Sequence, residues 1–137
     1  METINQTIQE AQKQLESGNT FMAMVLLALC LEWMGALLDD KPLKSTKQSK
    51  RRFNKAVACL LGGKYAALNR DSFLYEYWRN QLIHSGKLSK RFFISDDPIN
   101  HHLCLNENKQ WIFIPSVFLR DMQAAFAKLE KIKKAEK

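Results

Sequence analysis

The chain of 137 residues has the length of one ordinary domain, and 46% of its residues are hydrophobic and 26% charged. These proportions exclude a disordered tail, a collagen-like fibre and a small disulfide-stapled scaffold. Lys and Arg number 21 against 14 Asp and Glu, which gives a formal net charge of +7. Such an excess favours polyanionic partners, with nucleic acid and an anionic membrane surface as the main candidates.

The N-terminal half of the chain reads as three helices. Apolar residues at helical spacing predict the first helix over Glu2–Glu16. The second helix follows at Thr20, which we expect to cap it, and ends near Asp39-Asp40. A third helix begins around Ser49 and stops at Gly62-Gly63, because two consecutive glycines interrupt a helix.

The second of these helices is apolar almost throughout. The stretch from Phe21 to Leu38 has Glu32 as its only charged residue. Its length lies at the lower edge of a membrane span, but an acid in mid-span costs about 3 kcal/mol on insertion scales. A helix that is apolar all round is also what the centre of a helical bundle requires. We therefore interpret it as a buried core helix, with a membrane span as the alternative.

The C-terminal half begins with a helix that we call the motif helix. Asp71 is a favourable N-cap for it, and Gly86 is a favourable residue to end it. The following segments 91–94, 102–105 and 110–114 are short and β-prone. The last two flank an Asn-Glu-Asn-Lys turn, which predicts a β-hairpin.

Pro115-Ser116 opens a final amphipathic helix that runs to the charged C-terminus. The predicted fold class is therefore mainly α, a bundle of four to five helices with a small β-hairpin before the last helix. Cys30, Cys59 and Cys104 lie far apart without CxxC spacing, which indicates reduced thiols rather than a disulfide framework or a zinc ribbon. Since no secretory pattern opens the chain, we expect a cytoplasmic protein.

The motif helix contains the most informative pattern in the chain. Arg79 and Asn80 are followed by three residues and then His84, and no other Arg precedes a His at this spacing. The pattern resembles the R-x(4–6)-H motif of the HEPN superfamily, compact helical domains in which a polar residue commonly follows the Arg. The order of an apolar second helix, a motif helix and a closing helix agrees as well. The resemblance implies a single HEPN-like domain over residues 1–137.

HEPN ribonucleases cleave RNA without metal, by attack of a 2′-hydroxyl on the neighbouring phosphate. The resemblance implies a metal-independent endoribonuclease that needs no cofactor, with Arg79, Asn80 and His84 as its catalytic residues. A His moves protons in such a step, and an Arg holds the phosphate. Because one helix supplies only one Arg and one His, the family joins two motif helices across a dimer axis. We therefore expect a homodimer with a composite site.

Two acids are candidates for supporting the motif arginine. Glu76 lies one turn before Arg79 and is suitably spaced for a surface ion pair. Glu32 needs a partner if its helix is buried, and Arg79 is one candidate. In that case Glu32 would orient Arg79 rather than react.

A strongly basic segment precedes the third helix. Lys41–Lys55 contains seven positive charges and no acid, and we expect its central residues to bind RNA phosphates with strong salt dependence. The expected contacts are Lys47, Lys50, Arg51 and Arg52. A solvated loop that only aids solubility is the alternative.

Three functions follow from the sequence. The first is a homodimeric HEPN-type endoribonuclease that binds RNA and no membrane, and the second is a non-catalytic HEPN-like module that binds RNA or protein. The third is a membrane-surface protein that uses the basic segment. HEPN toxins paired with a nucleotidyltransferase antitoxin often end the motif in His-x-Tyr, whereas this chain has His84-Ser85-Gly86. An antitoxin or other protein partner therefore stays unassigned.

Overall fold

The computed structural model describes residues 1–39, 42, 47–97 and 101–136. The fold is mainly helical, as predicted, with two short strands. The α-helices are α1 (Glu2–Glu16), α2 (Thr20–Leu38), α3 (Ser49–Ala56), α4 (Gly63–Leu68), α5 (Asn80–Ser85) and α6 (Pro115–Ala135). The strands are β1 (Phe92–Ile94) and β2 (Trp111–Phe113). Wider π-helical turns extend α3 over Val57–Leu61 and precede α5 over Tyr75–Arg79, so the motif helix is continuous over residues 73–85.

The apolar helix α2 packs against α1, α3 and α6 and supplies much of the core. One side of α2 is buried, which confirms its role as a core helix. On the other side Phe21, Met22 and Trp33 remain 38–45% exposed. By length and composition α2 is also the one described helix that could cross a membrane, a test that core helices of soluble proteins pass as well. The buried residues of α2 are Ala23, Met24, Leu27, Ala28, Cys30, Leu31, Met34, Gly35 and Ala36.

Helix α3 approaches α2 most closely at Gly35. A Cβ atom on Gly35 would lie 1.9 Å from the carbonyl oxygen of Arg52, so no side chain fits between the two backbones. The contact brings the first residue of α3, Ser49, against Glu32, which lies one turn before Gly35 on α2. Because Gly35 has no side chain, α3 can lie close enough to α2 for Ser49 to reach Glu32.

Most predicted helix boundaries agree with the structure, but two predicted N-terminal caps do not. Gly86 ends the motif helix in the left-handed conformation, as predicted. The expected cap Asp71 instead lies in a short turn before the helix with φ of 57°. The Oδ1 atom of Asn69 accepts hydrogen bonds from the backbone N–H groups of Leu74 and Tyr75 and performs the capping. Thr20 begins α2 but makes no capping hydrogen bond there, so both cap predictions are wrong.

Helix α4 was not predicted, because its six residues are too few to show a helical period. The predicted hairpin forms in part. Segment 102–105 makes an isolated antiparallel bridge from Leu105 to Trp111, and the Leu103 N–H and the Cys104 carbonyl also form backbone hydrogen bonds with Ile112. Leu103 has φ of 61°, which interrupts the extended backbone, and the regular strand pairing of β2 is instead with β1, in parallel. The predicted turn still forms, with the Asn106 N–H donating to the carbonyl of Gln110.

Gly35→Ala should lower the free energy of unfolding by about 1–3 kcal/mol, because the added methyl group must displace α3. Urea denaturation followed by circular dichroism measures the change. At an open helical position the same substitution would instead stabilise the chain by up to about 1 kcal/mol. A stabilised variant would therefore contradict the close packing of α2 and α3.

Candidate active site on the motif helix

Arg79 is buried and forms an ion pair with Glu32. Its Nε atom lies 2.6 Å from Oε1 of Glu32, and the two side chains are only 10% and 14% exposed. The Nε–H is not aligned for a hydrogen bond to this oxygen, so charge attraction rather than a directed bond holds the contact. Of the two predicted partners, Glu32 is therefore the one that supports Arg79.

Two hydroxyl groups complete the surroundings of Glu32. The Ser49 hydroxyl donates a short hydrogen bond to the same Glu32 oxygen, and the Tyr75 hydroxyl donates to Ser49 Oγ at 2.9 Å. The Tyr75 ring also lies 5.3 Å from the guanidinium carbon of Arg79. Ser49 and Tyr75 therefore restrict both members of the ion pair, and nothing in the sequence pattern marked either residue for this role.

One edge of the Arg79 guanidinium points away from Glu32. Its Nη1 atom donates to Oδ1 of Asn80 at 3.0 Å, which places the two motif residues side by side. Its Nη2 atom has no hydrogen-bond partner in the described parts of the chain. This edge is the part of Arg79 that can bind a phosphate oxygen.

His84 stands apart from the other two motif residues. It is exposed near the end of α5, and within the described ranges it has no hydrogen-bond or ion-pair partner. It lies five positions after Arg79, which corresponds to about 140° around the helix and about 7.5 Å along its axis. The opposite side of the helix faces the core through Leu74, Trp78 and Leu82, as predicted. One chain therefore does not bring Arg79 and His84 into contact.

Glu76 pairs with a lysine rather than with the motif arginine. Its Oε1 atom lies 3.0 Å from Nζ of Lys50, and both side chains are about half exposed. The pair links α3 to the motif helix at the surface, so the supporting role predicted for Glu76 at Arg79 is wrong. Lys50 remains solvent-accessible, and Lys47 is exposed just before α3.

The arginines of the predicted RNA-binding segment are held by Asp39, whose side chain is fully buried. The guanidinium of Arg52 is already occupied, because its Nε lies 3.2 Å from Asp39 Oδ2 and its Nη2 donates to the carbonyl oxygen of Pro42 at 2.6 Å, so it is not available for a phosphate contact. Arg51 pairs with the other carboxylate oxygen and keeps 43% of its side chain exposed. Residues 41 and 43–46 of the predicted segment lie outside the described residues.

A second polar network lies away from the motif. The Ile114 N–H donates to Nδ1 of His102 at 2.9 Å, so the imidazole carries its proton on Nε2 and donates it to the Tyr65 hydroxyl oxygen, 2.8 Å away. The Tyr65 hydroxyl in turn donates to Oδ2 of Asp121 at 2.6 Å. The network joins α4, α6 and the loop before β2 beside a cavity of about 410 Å³.

Burial sets the protonation of this network. Burial lowers the pKa of His102 to about 4, with nearby Lys64 adding to the effect and Asp121 opposing it. Burial and the hydrogen bond to Asp121 raise the pKa of the Tyr65 hydroxyl far above its usual value of 10. Both groups are therefore neutral near pH 7, which is typical of a fixed structural network. Within the described ranges no group of three or more His, Cys, Asp or Glu side chains could hold a metal ion.

Comparison with family models, with curated proteins and with solved structures gives no match for this chain. The HEPN resemblance therefore rests on Arg79, Asn80 and His84 and on the order of the helices. A proposal about function therefore depends on the geometry of the motif helix.

Glu32→Gln should lower the free energy of unfolding by about 3–5 kcal/mol, because it leaves the buried Arg79 charge without a partner. Glu76→Gln is the matched control, since it removes an exposed pair and should change stability by at most about 1 kcal/mol. Urea denaturation of both variants measures the difference. Equal effects would contradict a structural role for the Glu32–Arg79 pair.

The stability of the protein should fall as the pH drops from about 6.5 to about 4. The pKa of His102 is lower in the folded chain than its ordinary 6.5, so the unfolded chain binds more protons in this window. One such group contributes at most about 1.4 kcal/mol per pH unit. His102→Asn retains an acceptor for the Ile114 N–H without titrating, and denaturation at several pH values should show a flatter dependence for it. Identical pH profiles would contradict the assignment.

Proposed function

We propose that this protein is a metal-independent endoribonuclease of the HEPN type. The observation that carries the proposal is the position of Arg79, which pairs with Glu32 through Nε and donates from Nη1 to Asn80, while its Nη2 has no hydrogen-bond partner among the described residues. A guanidinium that is already oriented stabilises developing phosphate charge without further reorganisation. In this proposal the buried pair has the orienting role that was expected of Glu32.

The chemistry assigned to the site is transfer of a phosphate from the 5′ oxygen to the neighbouring 2′ oxygen. The 2′ oxygen attacks the phosphorus, the bond to the 5′ oxygen breaks, and a cyclic phosphate remains. In this proposal Arg79 binds the phosphate, and His84 donates a proton to the departing 5′ oxygen. The partner subunit's His84 accepts the proton of the 2′-hydroxyl. Imidazole suits both steps because it titrates near neutral pH.

A homodimer is part of the proposal, because Arg79 and His84 do not meet within one chain. The outer side of α2 supports it with an apolar row, Met22, Leu26, Leu29 and Trp33. Their spacing of four, three and four residues is the spacing by which helices pair. Met22 and Trp33 are 45% and 38% exposed, and Trp33 directly follows Glu32. Pairing through this row would bury both residues close to the site.

A cytoplasmic location belongs to this proposal, since α2 is then a core and dimer helix. The second candidate function is a non-catalytic HEPN-like module that binds RNA or protein. The separation of His84 from Arg79 favours this alternative if the chain acts as a monomer. The test below separates the two functions.

Purified protein should cleave unstructured RNA in EDTA, and His84→Ala should reduce the rate by about 100-fold or more. Arg79→Lys should also be strongly impaired, because its single ammonium group can pair with Glu32 but leaves no further nitrogen, as Nη2 of Arg79 does, to bind a phosphate. His101→Ala, which alters another exposed histidine, is the matched control. Gel analysis of labelled RNA gives the rates, and circular dichroism confirms folding.

Activity that survives both motif variants would contradict the proposal. Salt-dependent RNA binding without cleavage by the wild type would instead support the binding module.

Trp33→Asp should convert the dimer to a monomer and lower the cleavage rate, because it introduces a charge into the apolar row of α2. Leu105→Asp is the matched control, since Leu105 is 53% exposed and lies outside α2. Sedimentation velocity and RNA cleavage are measured on the same samples. A folded Trp33→Asp monomer that retains full activity would exclude a composite site built through this row.

A further inference from the structure

A second group of cations directly follows the motif helix. Lys87, Lys90 and Arg91 lie within five residues that contain no acid, and all three are exposed. None of them has a carboxylate partner among the residues that the structure describes. The predicted basic segment differs in this respect. Its charges at positions 50–52 are already paired with acids.

Arg91 is stacked on an aromatic group of the motif helix. Its guanidinium carbon lies 4.1 Å from the ring centroid of Tyr77 and 5.9 Å from that of Phe73. The two rings contact each other at 5.2 Å between centroids, and Tyr77 is 37% exposed. A planar cation therefore covers an aromatic platform at the protein surface.

This arrangement has the chemistry that recognises unpaired nucleotides. Bases of single-stranded RNA stack on aromatic rings and on guanidinium planes, and lysines neutralise the adjoining phosphates. Bases inside a duplex are already stacked on one another and are not free for such contacts. We propose that Lys87, Lys90, Arg91 and Tyr77 form a binding surface for single-stranded RNA, with an unpaired base on the Arg91–Tyr77 stack.

The position of this surface connects it to the motif. Tyr77 and His84 are both exposed residues of the motif helix, seven residues apart, which is about two turns and about 10 Å along the axis. Lys87 follows the last residue of α5 by two positions. A strand held on this surface would run past His84, so the stacked base selects which phosphate reaches the catalytic histidine. This inference takes the RNA ligand from the proposed function but does not require cleavage.

The test is equilibrium binding of a fluorescently labelled unstructured RNA to the full chain carrying His84→Ala, which prevents cleavage. The variants Lys87→Ala/Lys90→Ala, Arg91→Lys and Tyr77→Leu are added to that background. The matched control Lys128→Ala/Lys131→Ala removes two exposed charges from α6. The same RNA as a duplex and anionic lipid vesicles are the comparison ligands.

We expect the Lys87/Lys90 variant to reduce the slope of log affinity against log salt concentration by about 1.4, as for two lost phosphate contacts. Arg91→Lys and Tyr77→Leu should each weaken single-strand binding about fivefold or more, because they remove the stacking plane. Tyr77→Phe should retain wild-type binding, since the ring remains. The α6 control should change the slope less than the Lys87/Lys90 variant, and the duplex should bind more weakly than the single strand.

Unchanged affinity in the Lys87/Lys90, Arg91 and Tyr77 variants, with RNA binding intact, would overturn this surface and leave the proposed function standing. Binding that the variants weaken, in a wild type that does not cleave, would support the surface and overturn the nuclease. Binding to anionic vesicles but to no RNA would overturn both.

Discussion

One buried carboxylate in an otherwise apolar helix determines how the rest of this fold is arranged. The Glu32 side chain is only 14% exposed, and at such a site an unpaired charge would cost several kcal/mol. Arg79 from the motif helix forms an ion pair with Glu32, and the Ser49 hydroxyl from α3 donates a hydrogen bond to it. One side chain of α2 therefore contacts both the motif helix and α3. Gly35 makes this geometry accessible, because only a residue without a side chain lets α3 come close enough to α2.

The same interaction holds two of the three motif residues in place and leaves the third exposed. Arg79 and Asn80 are held side by side, whereas His84 is exposed and without a partner in the described part of the chain. Such a division suits a site that is completed by a second molecule, because the cation is already fixed for a phosphate and the histidine is reachable from outside. The His102 network is the opposite case, since its histidine is partly buried, neutral and bonded at both nitrogens.

The sequence predicted what depends on local pattern and missed what depends on tertiary approach. Helix α1, the core helix, the glycine end of the motif helix and the buried side of that helix were predicted, because periodicity and turn chemistry act locally. The need of Glu32 for a cation was also predictable, since a lone acid in an apolar helix requires a partner, and Arg79 was one candidate. The parallel pairing of β1 with β2 and the burial of Arg52 against Asp39 depend on residues far apart in sequence, which no local pattern specifies.

The most direct measurement of the central claim is a double-mutant cycle between Glu32 and Arg79, followed in both unfolding and RNA cleavage. The cycle uses Glu32→Gln, Arg79→Lys and the double variant, with Glu76→Gln replacing Glu32→Gln in a control cycle. If Glu32 acts through Arg79, Glu32→Gln lowers the cleavage rate in the wild-type background and has little further effect on it when position 79 is Lys. If Glu32→Gln instead lowers the cleavage rate by the same factor whether position 79 is Arg or Lys, as is expected of Glu76→Gln in the control cycle, the buried pair does not orient the motif arginine.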